Sequence, residues 1–388
     1  MKKLILSALL AVCALCTAAQ NLWDAAQTSS PQINDDNSVT FRLHAPKAVK
    51  VLVTGDFLPD RTAELTENEN GIWSFTTPPL APELYSYAFI VDGLKILDPA
   101  NVYVNRDVAT LANIFLIEGG QADLYKVNDV PHGSLTRTWY HSPSLGTSRR
   151  MTVYTPPGYE SGKLRYPVLY LLHGMGNDEE GWPALGRAAR IMDNLIASGK
   201  AQPMIVVMTN GNVAQQAAPG EAPEGMVRPS FNLPHTMDGT FEASFPEIVA
   251  RIDDCYRTLR DKHHRAIAGL SMGGFHAMQI SKEYPDMFDY VGLFSAAVRA
   301  GYESRSRIYD NWQQKVKLQF KKRPALYWIA IGKDDFLYQA NVEYRKWLDD
   351  NNLPYIYRES DGGHEWRNWR IYLSEFAPML FRSKGATE

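Results

Sequence analysis

Ala266-Ile267-Ala268-Gly269-Leu270-Ser271-Met272-Gly273-Gly274, running into a helical stretch that ends near Lys282, is the segment whose reading decides the fold. Three small apolar residues make a short strand, a turn bracketed by glycines carries a serine, and a helix follows. A Gly-x-Ser-x-Gly pentapeptide by itself arises by chance in about one chain in ten of this length. Strand before and helix after make it far more specific, because together they are the strand–turn–helix geometry that lifts a serine hydroxyl above a sheet edge. The glycines allow a strained serine backbone and close packing of its neighbours. The helix N-terminus behind it favours developing negative charge.

Outward from this segment the same pattern repeats. Val168-Leu169-Tyr170-Leu171-Leu172, Met204-Ile205-Val206-Val207-Met208 and Ala325-Leu326-Tyr327-Trp328-Ile329-Ala330-Ile331 are continuous apolar runs. Such runs suit strands buried on both faces of a parallel sheet. Helical patterns lie between them over residues 188–198, 245–257 and 341–351. This alternation predicts an α/β layer architecture, a mostly parallel sheet flanked by helices, and together with the serine turn it reads as an α/β hydrolase over residues 131–388. Upstream the pattern changes: Val39-Thr40-Phe41-Arg42-Leu43, Gly71-Ile72-Trp73-Ser74-Phe75 and Tyr85 to Val91 are short strands, the last ending at the hairpin pair Asp92-Gly93. Residues 21–120 therefore read as a small immunoglobulin-like β-sandwich with Trp73 in its core, and residues 121–130 as a linker. A chain of 388 residues accommodates two such domains.

A serine nucleophile needs a base, an acid and oxyanion donors. Gly362-Gly363-His364-Glu365-Trp366 follows the apolar run Tyr355-Ile356-Tyr357, so His364 sits in a loop at the end of a strand. Gly332-Lys333-Asp334-Asp335 follows the last long strand and offers two carboxylates; Asp335 is preferred and Asp334 is the alternative. The resulting order of serine, aspartate and histidine is the one α/β hydrolases use. Expected oxyanion donors are the backbone N–H of Met272, just after the serine, and that of Met175 in His173-Gly174-Met175-Gly176. His173 is expected to be structural.

Other chemistries lack their parts. His364-Glu365 has no second histidine at helical spacing, so the zinc-protease motif is absent. Cys/His clusters with metal spacing are missing, and Gly174 and Gly176 lack the Lys-Ser/Thr ending of a phosphate loop. No metal or cofactor is expected. Residues 21–120 hold 6 Lys/Arg against 13 Asp/Glu, and nowhere is there the basic stripe that nucleic acid requires. Lys2 and Lys3, the apolar run Leu4 to Leu15 and the small residues Thr17-Ala18-Ala19 read as a secretory signal over residues 1–20. A secreted or periplasmic product with no membrane span is the expectation. Cys255, the one cysteine outside that segment, is expected to be a buried thiol.

Several of these segments resemble the feruloyl and acetyl-xylan esterases of carbohydrate esterase family 1. They are Arg150-Met151-Thr152-Val153-Tyr154-Thr155-Pro156-Pro157-Gly158-Tyr159, Tyr166 to Gly174, Arg265 to Gly274, and Gly362 to Trp366. The likeness spans residues 130–383. The amino-terminal part resembles early-set, glycogen-binding-like sandwiches on Gly71-Ile72-Trp73-Ser74, Val91-Asp92-Gly93 and Asp98-Pro99-Ala100-Asn101. The resemblance implies an ester of a plant cell-wall polysaccharide as substrate, a ferulate or an acetate on xylan. Siderophore-type esters, acyl transfer to a sugar, and a catalytically vestigial carbohydrate-binding protein are the alternatives. The stretch Asn210 to Gly239, with four prolines and four glycines, suits a loop that roofs a pocket. Trp182, Phe231 and Trp366 are the candidate aryl-binding residues.

Overall fold

Alternation in Val39–His44 puts Phe41 and Leu43 on a buried face, while Arg42 lies half-exposed. In the computed structural model, which describes residues 28–298 and 306–382, that strand pairs antiparallel with Ile72–Thr76, matching Phe41 to Phe75 and Leu43 to Trp73. A second antiparallel sheet places Val51–Gly55 against Glu83–Val91, which in turn pairs with Thr110–Ile117. Val39, Phe41, Val51, Val53, Trp73, Tyr87, Phe89 and Phe115 fill the space between the sheets. The Trp73 indole is in this core and donates its N–H to the Ala45 carbonyl at 3.0 Å. The sandwich is as expected.

The described residues divide into two units, one holding those up to Val104 with Leu111–Ile117, the other Asn105–Thr110 and those from Glu118 onward. The segment expected to be a linker is structured. Gly120–Leu124 forms a 3-10 turn, and Tyr125 beyond it is fully buried. The Asn194 amide binds the carbonyls of Leu124 and Lys126 at 3.0 and 3.1 Å, and Arg187 binds that of Tyr125 at 2.9 Å. These side-chain donors satisfy a backbone with no ladder of its own.

The second unit is built on an eight-stranded sheet. Its strands are β1 (Ser134–Ser142), β2 (Thr147–Thr155), β3 (Val168–Leu172), β4 (Ile205–Thr209), β5 (Arg265–Leu270), β6 (Tyr290–Phe294), β7 (Leu326–Gly332) and β8 (Ile356–Ser360). They lie in the order β1-β2-β4-β3-β5-β6-β7-β8. The β1–β2 and β2–β4 pairs are antiparallel and all others are parallel. Every residue of β3, β4, β5 and β7 is buried, which is why these strands read as unbroken apolar runs. Helices α1 (Ala188–Ala197), α2 (Thr240–Cys255), α3 (Met272–Glu283), α4 (Trp312–Lys321), α5 (Tyr338–Asp350) and α6 (Trp366–Phe376) connect and flank them. In α3 all residues from Met272 to Lys282 are buried, so it runs through the interior with no solvent face.

Register then fixes where the chemistry sits. Leu270 of β5 pairs with Phe294 of β6, Phe294 with Ala330 of β7, and Ala330 with Arg358 of β8. The segments leaving β5, β7 and β8 therefore emerge on one sheet edge, with β5 and β7 about 10 Å apart at ordinary strand spacing. Among the described residues no helix is long and apolar enough to cross a membrane. The expected signal segment lies outside the described residues. Cys255 corrects an expectation: it is exposed, because it closes α2 on the solvent side while Ile252 and Asp253 face inward.

Candidate active site

Ser271 has φ 53 and ψ −115, a conformation that costs a non-glycine residue about 1–3 kcal/mol. Its surroundings hold it there. The Ser271 N–H donates to the Phe294 carbonyl at 2.9 Å, and its own carbonyl accepts from the Phe275 and Ala297 amides at 3.0 Å each. Gly269 and Gly273 show why the turn demands glycine. A Cβ on Gly269 would lie 2.4 Å from the Gly273 carbonyl carbon, and one on Gly273 would lie 2.5 Å from the Leu172 carbonyl oxygen. The strand–turn–helix reading is thus realised atom against atom.

Of the two candidate acids, the geometry selects Asp335. Its buried Oδ2 lies 2.9 Å from His364 Nδ1, and its Oδ1 accepts the Leu337 amide at 2.8 Å. A carboxylate tied at both oxygens fixes the imidazole and leaves Nε2 as the free nitrogen. Asp334 is exposed and serves through its backbone, donating its N–H to the Gly362 carbonyl at 3.0 Å. Asn368 holds the same loop by donating to the Asp361 and Gly363 carbonyls at 3.1 and 2.9 Å. Trp369 meets the His364 ring edge-on at a centroid distance of 4.9 Å.

Met272, one expected oxyanion donor, directly follows the serine, and the loop that carries the other, Met175, runs beside it. Met272 opens α3, so its N–H has no intrahelical acceptor, and the helix N-terminus adds partial positive charge. Met175 follows Gly174, whose Cβ position would lie 3.5 Å from Ser271 Cβ. Neither amide donates to a backbone carbonyl among the described residues. Beneath this loop, His173 donates from Nδ1 to the Gly174 carbonyl at 2.7 Å and accepts the Gly211 amide at Nε2 at 2.8 Å. Burial pushes its pKa down to about 4, so it remains neutral and both contacts persist. It is structural, as expected.

A charged network supports the same loop. Buried Glu179 accepts Arg150 Nε at 2.7 Å, the Ala218 amide at 2.8 Å and the Asn210 amide group at 3.0 Å, which ties the segment after β4 to the oxyanion loop. Burial, then the Asp178 charge, raises the Glu179 pKa. Asn105–Thr110, part of the same unit, adds two contacts: Arg106 pairs with Asp178 at 2.6 Å, and Asn177 donates to Asp107 at 2.8 Å. Neither network is legible in sequence, since its members lie far apart along the chain.

The aromatic candidates separate. Trp182 is a correction: it is buried, and its indole N–H is committed to the Leu172 carbonyl at 2.9 Å, so it braces the end of β3 and offers no ring to a ligand. Trp366 is half-buried, edge-on to Trp182 at 5.4 Å and to Trp369 at 5.1 Å. Phe231 is exposed, with its Cα 3.2 Å from where a Gly176 Cβ would stand, beside the oxyanion loop. Sequence reading missed Phe336, which is 76% exposed and whose ring lies tilted at 53° to the His364 ring with centroids 4.5 Å apart. Its position directly after Asp335 was the available signal. Among the described residues no cluster of three or more His, Cys, Asp or Glu could hold a metal.

Comparison with known proteins agrees with this geometry. Residues 142–380 match the Esterase family profile, and residues 27–103 match carbohydrate-binding module 48, the isoamylase N-terminal domain. An endo-1,4-beta-xylanase/feruloyl esterase of Xylanibacter ruminicola is 34% identical over 367 residues, covering 91% of this chain and 46% of its own length. This chain thus spans about half of that relative. A solved ferulic acid esterase is 31% identical with a TM-score of 0.56, covering 65% of this chain and 99% of its own. The ferulic acid esterase of Anaeromyces mucronatus, of carbohydrate esterase family 1, is 27% identical with a TM-score of 0.55, covering 66% of this chain and 93% of its own. These matches bear out the resemblance drawn from the sequence motifs. With the Esterase profile covering more than half of its length and the α/β-hydrolase sheet beneath it, the chain belongs to the Esterase family.

Proposed function

We propose that this chain is a serine carboxylic-ester hydrolase that removes feruloyl groups from plant cell-wall xylan through an acyl-enzyme. The observation that carries the proposal is the Asp335–His364 pair, which shares one sheet edge with the strained Ser271. Ser271 Oγ attacks the ester carbonyl carbon and passes its proton to His364 Nε2. The Met272 and Met175 amides hold the oxyanion that forms. Collapse breaks the bond to the alcohol oxygen, which leaves with the proton from His364, and water repeats both steps to free the acid. Asp335, bonded to Nδ1, orients the ring and stabilises the imidazolium.

The ferulate assignment is supported by the Xylanibacter ruminicola relative and the two ferulic acid esterase structures. Export is part of the proposal and rests on the amino-terminal segment of Lys2, Lys3 and the apolar run after them. The test is release of acid from methyl ferulate and from acetylated xylan, with Ser271→Ala as control. Ferulate release that falls at least about 10³-fold in the variant is expected. Acetate release alone would move the assignment to the acetyl ester, and full activity of the variant would refute the serine mechanism.

A further inference from the structure

We propose that Phe336 is the alcohol-side platform of this site, a specificity-determining residue that receives the sugar bearing the ester. The inference rests on the esterase reading above and deepens it. The proton that leaves with the alcohol comes from His364 Nε2, so the alcohol oxygen must come within hydrogen-bond reach of that imidazole. Whatever the oxygen is attached to then lies against the groups flanking the ring. Asp335 occupies Nδ1, and Trp369, itself buried, closes one flank edge-on at 4.9 Å. Among the described residues the other ring against it is Phe336, at 4.5 Å and 76% exposed.

Among the described residues most of this phenyl ring beside the imidazole is uncovered. A furanose or pyranose offers the matching surface, an apolar C–H face rimmed by hydroxyls. The exposed Asp334, one residue before the triad acid, supplies acceptor oxygens for those hydroxyls. The acyl half lies on the opposite side, because its carbonyl oxygen points at the Met175 and Met272 amides. The exposed aromatic at the oxyanion loop is Phe231. The two exposed rings therefore divide the ester between them, Phe231 toward the acyl group and Phe336 toward the alcohol.

The test compares kcat/KM for a feruloylated arabinose-xylose oligosaccharide with that for methyl ferulate, in the full chain and in Phe336→Ala and Phe336→Tyr. In Phe336→Ala the ratio of the two should fall about tenfold, through KM of the sugar ester, on the scale of one aromatic contact. Phe336→Tyr should restore it, since the ring remains. An unchanged ratio, whether both activities hold or both fall together, would overturn the assignment and leave Phe336 as packing for His364. A parent inactive on both esters would sink the esterase reading itself, and the alcohol-side role with it.

Discussion

Replacing Gly273 by alanine tests the catalytic geometry with a single methyl group. The added Cβ would stand 2.5 Å from the Leu172 carbonyl oxygen and 2.6 Å from that of His173, where real contacts keep beyond 3.0 Å. Both obstacles are backbone at the end of β3, so no side chain can swing aside. The start of α3 and the start of the oxyanion loop must part by at least about 0.5 Å, nearer 1 Å for ordinary van der Waals contact. That movement separates the Met272 amide and Ser271 from the Met175 amide. Misplacement by about 1 Å costs on the order of 10²-fold, and loss of one oxyanion donor about 10²–10³-fold. We therefore expect kcat/KM for methyl ferulate to fall about 10²–10³-fold. Stability should drop by about 1–3 kcal/mol from overpacking, against a helix-propensity gain of at most about 1 kcal/mol. Steady-state hydrolysis and urea unfolding on the same preparation read both quantities. Parent-like kcat/KM in a folded Gly273→Ala would show that the close approach does not set the oxyanion geometry.

Two further outcomes follow from the supporting residues. His173 has a folded pKa near 4, below its unfolded value of about 6.5, so the unfolded chain binds the proton first. Its contribution is complete above about pH 6.5 and is lost as pH falls toward 4, up to about 3 kcal/mol. Urea midpoints between pH 7 and 4.5 should show this slope, and a His173→Gln variant with the same slope would refute the assignment. Trp182→Phe should lower stability by about 1–3 kcal/mol by orphaning the Leu172 carbonyl, with KM for methyl ferulate within about twofold of the parent. A KM increase beyond about tenfold would return Trp182 to the ligand site.

How much of the site could be read in advance divides by distance along the chain. Ser271 and its elbow were legible because strand, turn and helix are contiguous, so the constraint is written in nine consecutive residues. His364 and the Asp334/Asp335 pair were legible as the loops that follow two apolar runs. The choice between the two carboxylates was not, since both follow β7 and only the turn directs Asp335 inward to His364 Nδ1 and leaves Asp334 in solvent. Trp182 was misassigned for a similar reason: an aromatic beside a catalytic loop has the same local sequence whether it faces the pocket or the core, and here its N–H is spent on β3.

By itself the sequence determined the two domain classes, the sheet's buried strands, and Ser271 and His364 as the candidate nucleophile and base. Those features depend on local periodicity and on turn chemistry, which a stretch of neighbours encodes. Only the tertiary structure decided which acid pairs with His364, that Glu179 and His173 bind the segment after β4 to the oxyanion loop, and that Phe336 stands exposed on the imidazole. Each of those depends on which loops of a parallel sheet emerge side by side, and strand order sets that, not proximity in the chain.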